Sequence, residues 1–69
     1  MEDIRDCRGH LVCKAEPSEG FIESTYKRQT TKMRLPVGGN ITIERDGIRT
    51  TITRRNSTEL DINSKELAM

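Results

Sequence analysis

Asn40-Ile41-Thr42-Ile43-Glu44-Arg45-Asp46-Gly47-Ile48-Arg49-Thr50-Thr51-Ile52-Thr53 is the stretch that decides how this chain folds. Isoleucine and threonine alternate on both sides of Asp46-Gly47, and Asp-Gly tolerates the positive φ that a type I′ turn demands at both central positions. The stretch therefore predicts a two-residue β-hairpin. A loop of that length also sets the register, with Arg45 opposite Ile48, Glu44 opposite Arg49, Ile43 opposite Thr50, Thr42 opposite Thr51 and Ile41 opposite Ile52. Ile41, Ile43, Ile48 and Ile52 then share the core face. Turn chemistry and period-2 alternation select the same pairing, and each cross-strand pair adds on the order of 0.2–1 kcal/mol.

Working outward, Thr31, Met33, Leu35 and Val37 alternate with Lys32 and Arg34, which predicts a half-buried strand that ends at Pro36 and Gly38-Gly39. Phe21 to Tyr26 reads as a strand in which Ile22, Ser24 and Tyr26 share a face, with the reversal at Lys27-Arg28-Gln29. His10 to Ala15 reads as a strand carrying Leu11, Cys13 and Ala15 on one side, closed by Glu16-Pro17-Ser18-Glu19-Gly20. Leu60 and Ile62 flank Asp61 in a last strand, and Ser64 to Met69 form a frayed helical turn or carry no order.

No amphipathic helix interrupts these strands. The expected fold is all-β, a small antiparallel meander of five or six strands that curls into a barrel of SH3-like size or an open, twisted sheet. Sixty-nine residues allow one domain, spanning 1–69 with 1–6 and 64–69 poorly ordered, and a thin core. Leu11, Val12, Cys13, Phe21, Ile22, Tyr26, Met33, Leu35, Val37, Ile41, Ile43, Ile48, Ile52, Leu60 and Ile62 are expected to fill it. A core of this size leaves burial and chain entropy nearly balanced, so a homodimer formed through a strand edge is one way to add stability.

Hydrophobic residues make up 32% of the chain and charged residues 33%. No apolar run is long enough to span a bilayer, and Met1-Glu2-Asp3-Ile4-Arg5-Asp6 is charged where a signal peptide needs an apolar stretch. The expected location is the cytoplasm, with no membrane partner. Net charge is +1, but residues 27–55 hold eight basic and two acidic groups, flanked by segments of −3 and −2. This asymmetry suggests a polyanionic partner, while edge-strand solubility accounts for it equally well. The candidate phosphate-contacting residues are Lys32, Arg34 and Arg49, expected together on the face opposite the core, with Lys27, Arg28, Arg54 and Arg55 at strand ends. Phe21 and Tyr26 are the only aromatics, so stacking on bases is not expected, and nucleic-acid binding would be electrostatic.

Cys7, His10 and Cys13 form C-x2-H-x2-C, one ligand short of a structural zinc site, and Cys13 lies on the face of Leu11 and Ala15, where a thiol acts as a small hydrophobe. The expectation is no metal and no cofactor. Gly38-Gly39 lacks the Lys-Ser/Thr pair and helix of a phosphate loop and reads as a turn. With one histidine and a thin core, no catalytic constellation emerges, and the chain is expected not to be an enzyme.

The stretches Cys7-Arg8-Gly9-His10-Leu11-Val12-Cys13-Lys14 and Leu35-Pro36-Val37-Gly38-Gly39-Asn40-Ile41-Thr42-Ile43-Glu44-Arg45-Asp46-Gly47 resemble short uncharacterised proteins carried on mobile elements of gut bacteria, over residues 5 to 55. The resemblance implies the bacterial cytosol and a role in maintenance, transfer or regulation of such an element. The residues themselves predict a non-enzymatic binding module for a protein partner that extends a strand edge, with a nucleic-acid accessory protein as the alternative.

Overall fold

A computed structural model describes residues 1–67. Seven strands follow one another: β1 (Glu2–Arg5), β2 (Leu11–Glu16), β3 (Phe21–Tyr26), β4 (Gln29–Arg34), β5 (Asn40–Arg45), β6 (Ile48–Arg54) and β7 (Leu60–Glu66). All neighbours pair antiparallel in two sheets, β1-β2-β3-β4 and β5-β6-β7. The all-β antiparallel expectation is met. The strand count is seven instead of five or six, because residues 2–5 pair with β2, and the sheets stay separate without closing into a barrel. Residues 64–66 extend β7 where a helical turn or no order was expected; Ala68 and Met69 lie outside the described residues.

The β5–β6 hairpin has the register read from its turn. Arg45 pairs with Ile48, Glu44 with Arg49, Ile43 with Thr50, Thr42 with Thr51 and Ile41 with Ile52. Asp46 and Gly47 lie at φ 52° and 75°, the left-handed pair of a type I′ turn. Ile48 and Ile52 are buried, while Ile41 and Ile43, on the edge strand, are half-buried against the core.

The sheets meet through their apolar faces. Ile4, Val12, Cys13, Ala15 and Ile22 from the first sheet pack with Leu35 and Ile52, and Met33, Ile41, Ile43 and Leu60 flank them. Four expected core residues are instead exposed: Leu11 at 45%, Tyr26 at 47%, Val37 at 58% and Ile62 at 43%. For Leu11 the cause is a β-bulge. Ile4 pairs with Cys13 but Arg5 pairs with Leu11, so Val12 is an inserted residue. The bulge turns consecutive Val12 and Cys13 both inward and leaves Leu11 outside. Ile62 pairs with core residue Ile52, yet it lies on edge strand β7, outside the buried cluster.

Polar contacts fasten one sheet to the other. Thr50, buried beside Ser64, shares a hydroxyl hydrogen bond with it, and Ser64 Oγ accepts the Cys7 amide at 2.9 Å. Arg8 Nε donates to Glu66 at 2.6 Å, so the β1–β2 connection docks on β7. On the opposite flank Arg45 reaches from β5 to β2 and β3, donating to the Val12 carbonyl at 3.2 Å and the Ser24 hydroxyl at 2.7 Å.

Candidate interaction surface

The β3–β4 hairpin differs chemically from its β5–β6 counterpart although both use two-residue turns. Tyr26 pairs with Gln29 around Lys27 and Arg28, which adopt φ 49° and 68°. Neither is glycine, asparagine or aspartate, so each left-handed residue costs roughly 1–2 kcal/mol that Asp46-Gly47 largely avoids. The expected reversal at 27–29 is confirmed to within one residue.

Register then determines which backbone groups of β4 are taken. Leu35 N donates to Gly20 O at 2.8 Å, continuing the pairs Met33 with Ile22, Thr31 with Ser24 and Gln29 with Tyr26. In an antiparallel ladder alternate residues bond to the same neighbour, so the N–H and C=O groups of Thr30, Lys32 and Arg34 point away from β3. β4 is the edge of its sheet, and of its six residues only Met33 is even half-buried. Among the described residues, no turn or loop backbone bonds to that edge.

The seven basic residues singled out from the sequence divide between separate places. Lys27, Arg28, Lys32 and Arg34 belong to the β3–β4 hairpin, with no acidic residue between positions 27 and 34. Arg34 lies 3.4 Å from Glu19, whereas Lys27, Arg28 and Lys32 have no carboxylate within 4 Å among the described residues. Arg49 is on β6 of the second sheet and Arg55 follows the end of that strand. Each is tied to an acid, Arg49 to Glu44 at 3.0 Å and Arg55 to Asp61, whose hydrogen bond and charge raise the guanidinium pKa. They line a shallow depression with Thr51, Thr53, Asn63 and Lys65.

Arg54 is half-buried and spends its donors on backbone carbonyls. Its guanidinium donates to the carbonyls of Leu35 and Ser57 at 3.0 Å, and its Nε is buried without a partner. The expectation of a single basic face spanning Lys32, Arg34 and Arg49 therefore gives way to two outer faces of opposite sheets. The reason is the Leu35–Gly39 connection, which carries the chain from one sheet to the other between β4 and β5.

Arg45 was not among those candidates. Its guanidinium lies 4.5 Å from the Tyr26 ring centroid, and Lys27 Nζ lies 5.4 Å from the same ring. The signal was present in the hairpin register, which places Arg45 on the isoleucine face opposite Ile48; an inward-facing cation needs acceptors.

Cys7, His10 and Cys13 are not brought together. Cys13 is buried, and burial raises its thiol pKa to about 11 against a small opposing effect of Arg45. Cys7 is exposed, and His10 Nδ1 lies 3.5 Å from Asp6. Asp6 organises the β1–β2 connection: its Oδ1 accepts the amides of Arg8 and His10, both at 2.9 Å. Burial opposes ionisation of this carboxyl, but those amides outweigh it and hold the pKa below the usual aspartate value. No three His, Cys, Asp or Glu side chains among the described residues are grouped to hold a metal ion.

Fold and surface define a class: a compact antiparallel β domain of two sheets with a basic, exposed edge strand and, among the described residues, no helix long and apolar enough to cross a membrane. No protein-family model matches the chain, nor does any curated protein or solved structure.

Proposed function

We propose that this chain is a non-enzymatic binding module that recognises a protein partner through the edge of β4. The observation that carries the reading is the outward row of backbone groups at Thr30, Lys32 and Arg34 on an exposed edge strand. Such an edge accepts an additional strand, main-chain hydrogen bonds supplying affinity and neighbouring side chains selectivity. Natural sheets blunt edges with lysine to prevent promiscuous pairing, and Lys32 at the middle of β4 serves that purpose until the proper partner arrives. The resemblance to proteins of bacterial mobile elements makes the cytosol the setting and an accessory or regulatory role the context.

A nucleic-acid accessory function is the second reading, favoured by Lys27, Arg28 and Lys32, which have no carboxylate within 4 Å among the described residues. Against it, Arg34, Arg49 and Arg55 are engaged by Glu19, Glu44 and Asp61, and the exposed Tyr26 ring is occupied by Arg45. Pairing with a carboxylate reduces what each of these cations offers to a phosphate.

Selection of a random twelve-residue peptide library on the immobilised protein, beside titrations with duplex and single-stranded DNA at two salt concentrations, separates the readings. Enrichment of peptides that bind the free protein in solution, without salt-sensitive DNA binding, is the expected result. DNA binding that weakens steeply with salt, with no peptide enriched, would overturn it.

A further inference from the structure

We infer that the β4 edge is built for an acidic, extended segment of the partner, which adds to the first sheet as a fifth strand. The inference rests on the protein-binding reading above and specifies what that partner presents.

Charge selects the ligand. From Lys27 to Arg34 the hairpin holds four cations and no acid; Glu19 lies 3.4 Å from Arg34 and Glu23 lies across from Lys32 on β3, which still leaves the tip and this edge positive, and Lys32 and Arg34 carry outward backbone groups that an incoming strand meets. A strand with glutamate or aspartate at alternate positions places its carboxylates on the outer face beside Lys32 and Arg34. Directly opposed unlike charges stabilise such a ladder, and like charges destabilise it. The tip cations Lys27 and Arg28 add to the field that attracts a negative segment before contact.

The same charge pattern argues against a second copy of β4 as the occupant. Antiparallel self-pairing through the outward groups must bring Lys32 against Lys32, Lys32 against Arg34, Arg28 against Arg34, Arg28 against Lys32 or Arg34 against Arg34, depending on register. Each juxtaposes cations. On β5, one edge of the other sheet, Glu44 faces Arg49 at 3.0 Å, whereas Glu23, opposite Lys32 on β3, makes no ion pair with it within 4 Å among the described residues.

The turn supports a ligand role for the tip. Two cations occupy left-handed positions for which the chain uses Asp-Gly in its other hairpin. Backbone strain of this kind is concentrated at functional segments. At Lys27-Arg28 it preserves positive charge at the entrance to the β4 edge.

The test uses the full chain and a synthetic peptide of alternating glutamate and valine, eight residues long and blocked at both ends, with an alternating lysine-valine peptide as control. Binding is read by fluorescence anisotropy, and amide hydrogen exchange locates it. The expected result is binding of the glutamate peptide alone, weakening as ionic strength rises, with new exchange protection at Thr30, Lys32 and Arg34. Thr30→Pro removes one outward donor without altering charge, and proline is tolerated where an edge N–H faces solvent; it should weaken binding by about tenfold or more. Thr42→Pro on β5 should leave binding unchanged, and Lys32→Glu should abolish it, both with unaltered circular dichroism.

Binding of the glutamate peptide that Thr30→Pro leaves intact, without protection on β4, would overturn strand addition. Preference for neutral or basic peptides, here or among the library winners, would overturn the acidic assignment and leave the protein-binding reading standing. Concentration-dependent self-association lost in Lys32→Glu would identify a second copy as the occupant and overturn it likewise. Duplex DNA competing as well as the peptide, with no library peptide enriched, would defeat both readings together.

Discussion

Arg45 and Tyr26 clasp the two sheets at one flank, the guanidinium lying 4.5 Å from the ring centroid while its terminal nitrogens donate to the Val12 carbonyl and the Ser24 hydroxyl. The carbonyl it satisfies belongs to the bulge residue of β2. A single side chain from β5 therefore closes off an irregularity in the other sheet and covers one face of an otherwise exposed aromatic.

Replacing Arg45 removes both donors and the ring contact together. Arg45→Met keeps much of the aliphatic bulk but is expected to destabilise the domain by roughly 2 kcal/mol, because charged hydrogen bonds contribute about 1.5–3 kcal/mol and the Val12 carbonyl keeps only the longer bond from the Ser24 hydroxyl. In a domain of this size that lowers the midpoint by about 10 °C. Thermal denaturation followed by circular dichroism measures it; an unchanged midpoint would show that the clasp is dispensable.

The two hairpin turns make opposite predictions. A Cβ added at Gly47, φ 75°, meets nothing within 4 Å, so Gly47→Val tests chiefly backbone strain and should cost roughly 1–2 kcal/mol. The double change Lys27→Asn with Arg28→Gly relaxes the other turn and should stabilise the fold by about 1 kcal/mol, while reducing affinity for the glutamate peptide. Thermal melts of both variants check the pair. A Lys27/Arg28 replacement that melts at or below the parent temperature would remove the case for strain at that tip.

Gly20 is also left-handed, at φ 66°, but its surroundings are closed. An added Cβ would sit 2.6 Å from Arg54 Cδ and 2.7 Å from the Leu35 carbonyl oxygen, the acceptor of an Arg54 hydrogen bond. Gly20→Ala therefore adds a packing conflict to the backbone penalty and should cost about 2–4 kcal/mol, more than Gly47→Ala. Equal losses in denaturant melts would mean that Arg54 yields freely and does not anchor that corner.

The two thiols should behave as distinct groups. At neutral pH a thiol reagent should modify exposed Cys7 promptly and Cys13 only on unfolding, as read by mass spectrometry with and without denaturant. Because burial raises the folded pKa of Cys13 to about 11, the folded state holds its proton more tightly than the unfolded chain, whose thiols titrate near ~8.5. Its contribution to stability is complete below the unfolded value and is lost as pH climbs towards the folded one. Stability should decline between those values in the parent, and the decline should shrink in Cys13→Ala.

Much of the fold was legible wherever structure is local. The β5–β6 register followed from Asp46-Gly47 and alternation, and the β3–β4 reversal followed from its position between two periodic segments even though its turn chemistry was unusual. The candidate surface was only partly legible. Lys27, Arg28, Lys32 and Arg34 could be recognised as a basic cluster, but their separation from Arg49 and Arg55 required knowing that β4 and β5 belong to different sheets.

By itself the sequence determined an antiparallel β domain and the side-chain register of its central hairpin, because a two-residue turn fixes pairing and a period of two fixes faces. Tertiary structure decided which of those faces is covered. The bulge at Val12 exchanged its burial with that of Leu11, and stacking of the second sheet drew Arg45 and Arg54 towards backbone carbonyls. It also left the backbone of β4 uncovered along a basic edge. Those outcomes depend on which distant strands meet across the core, and packing between residues far apart in the chain has no signature in local periodicity.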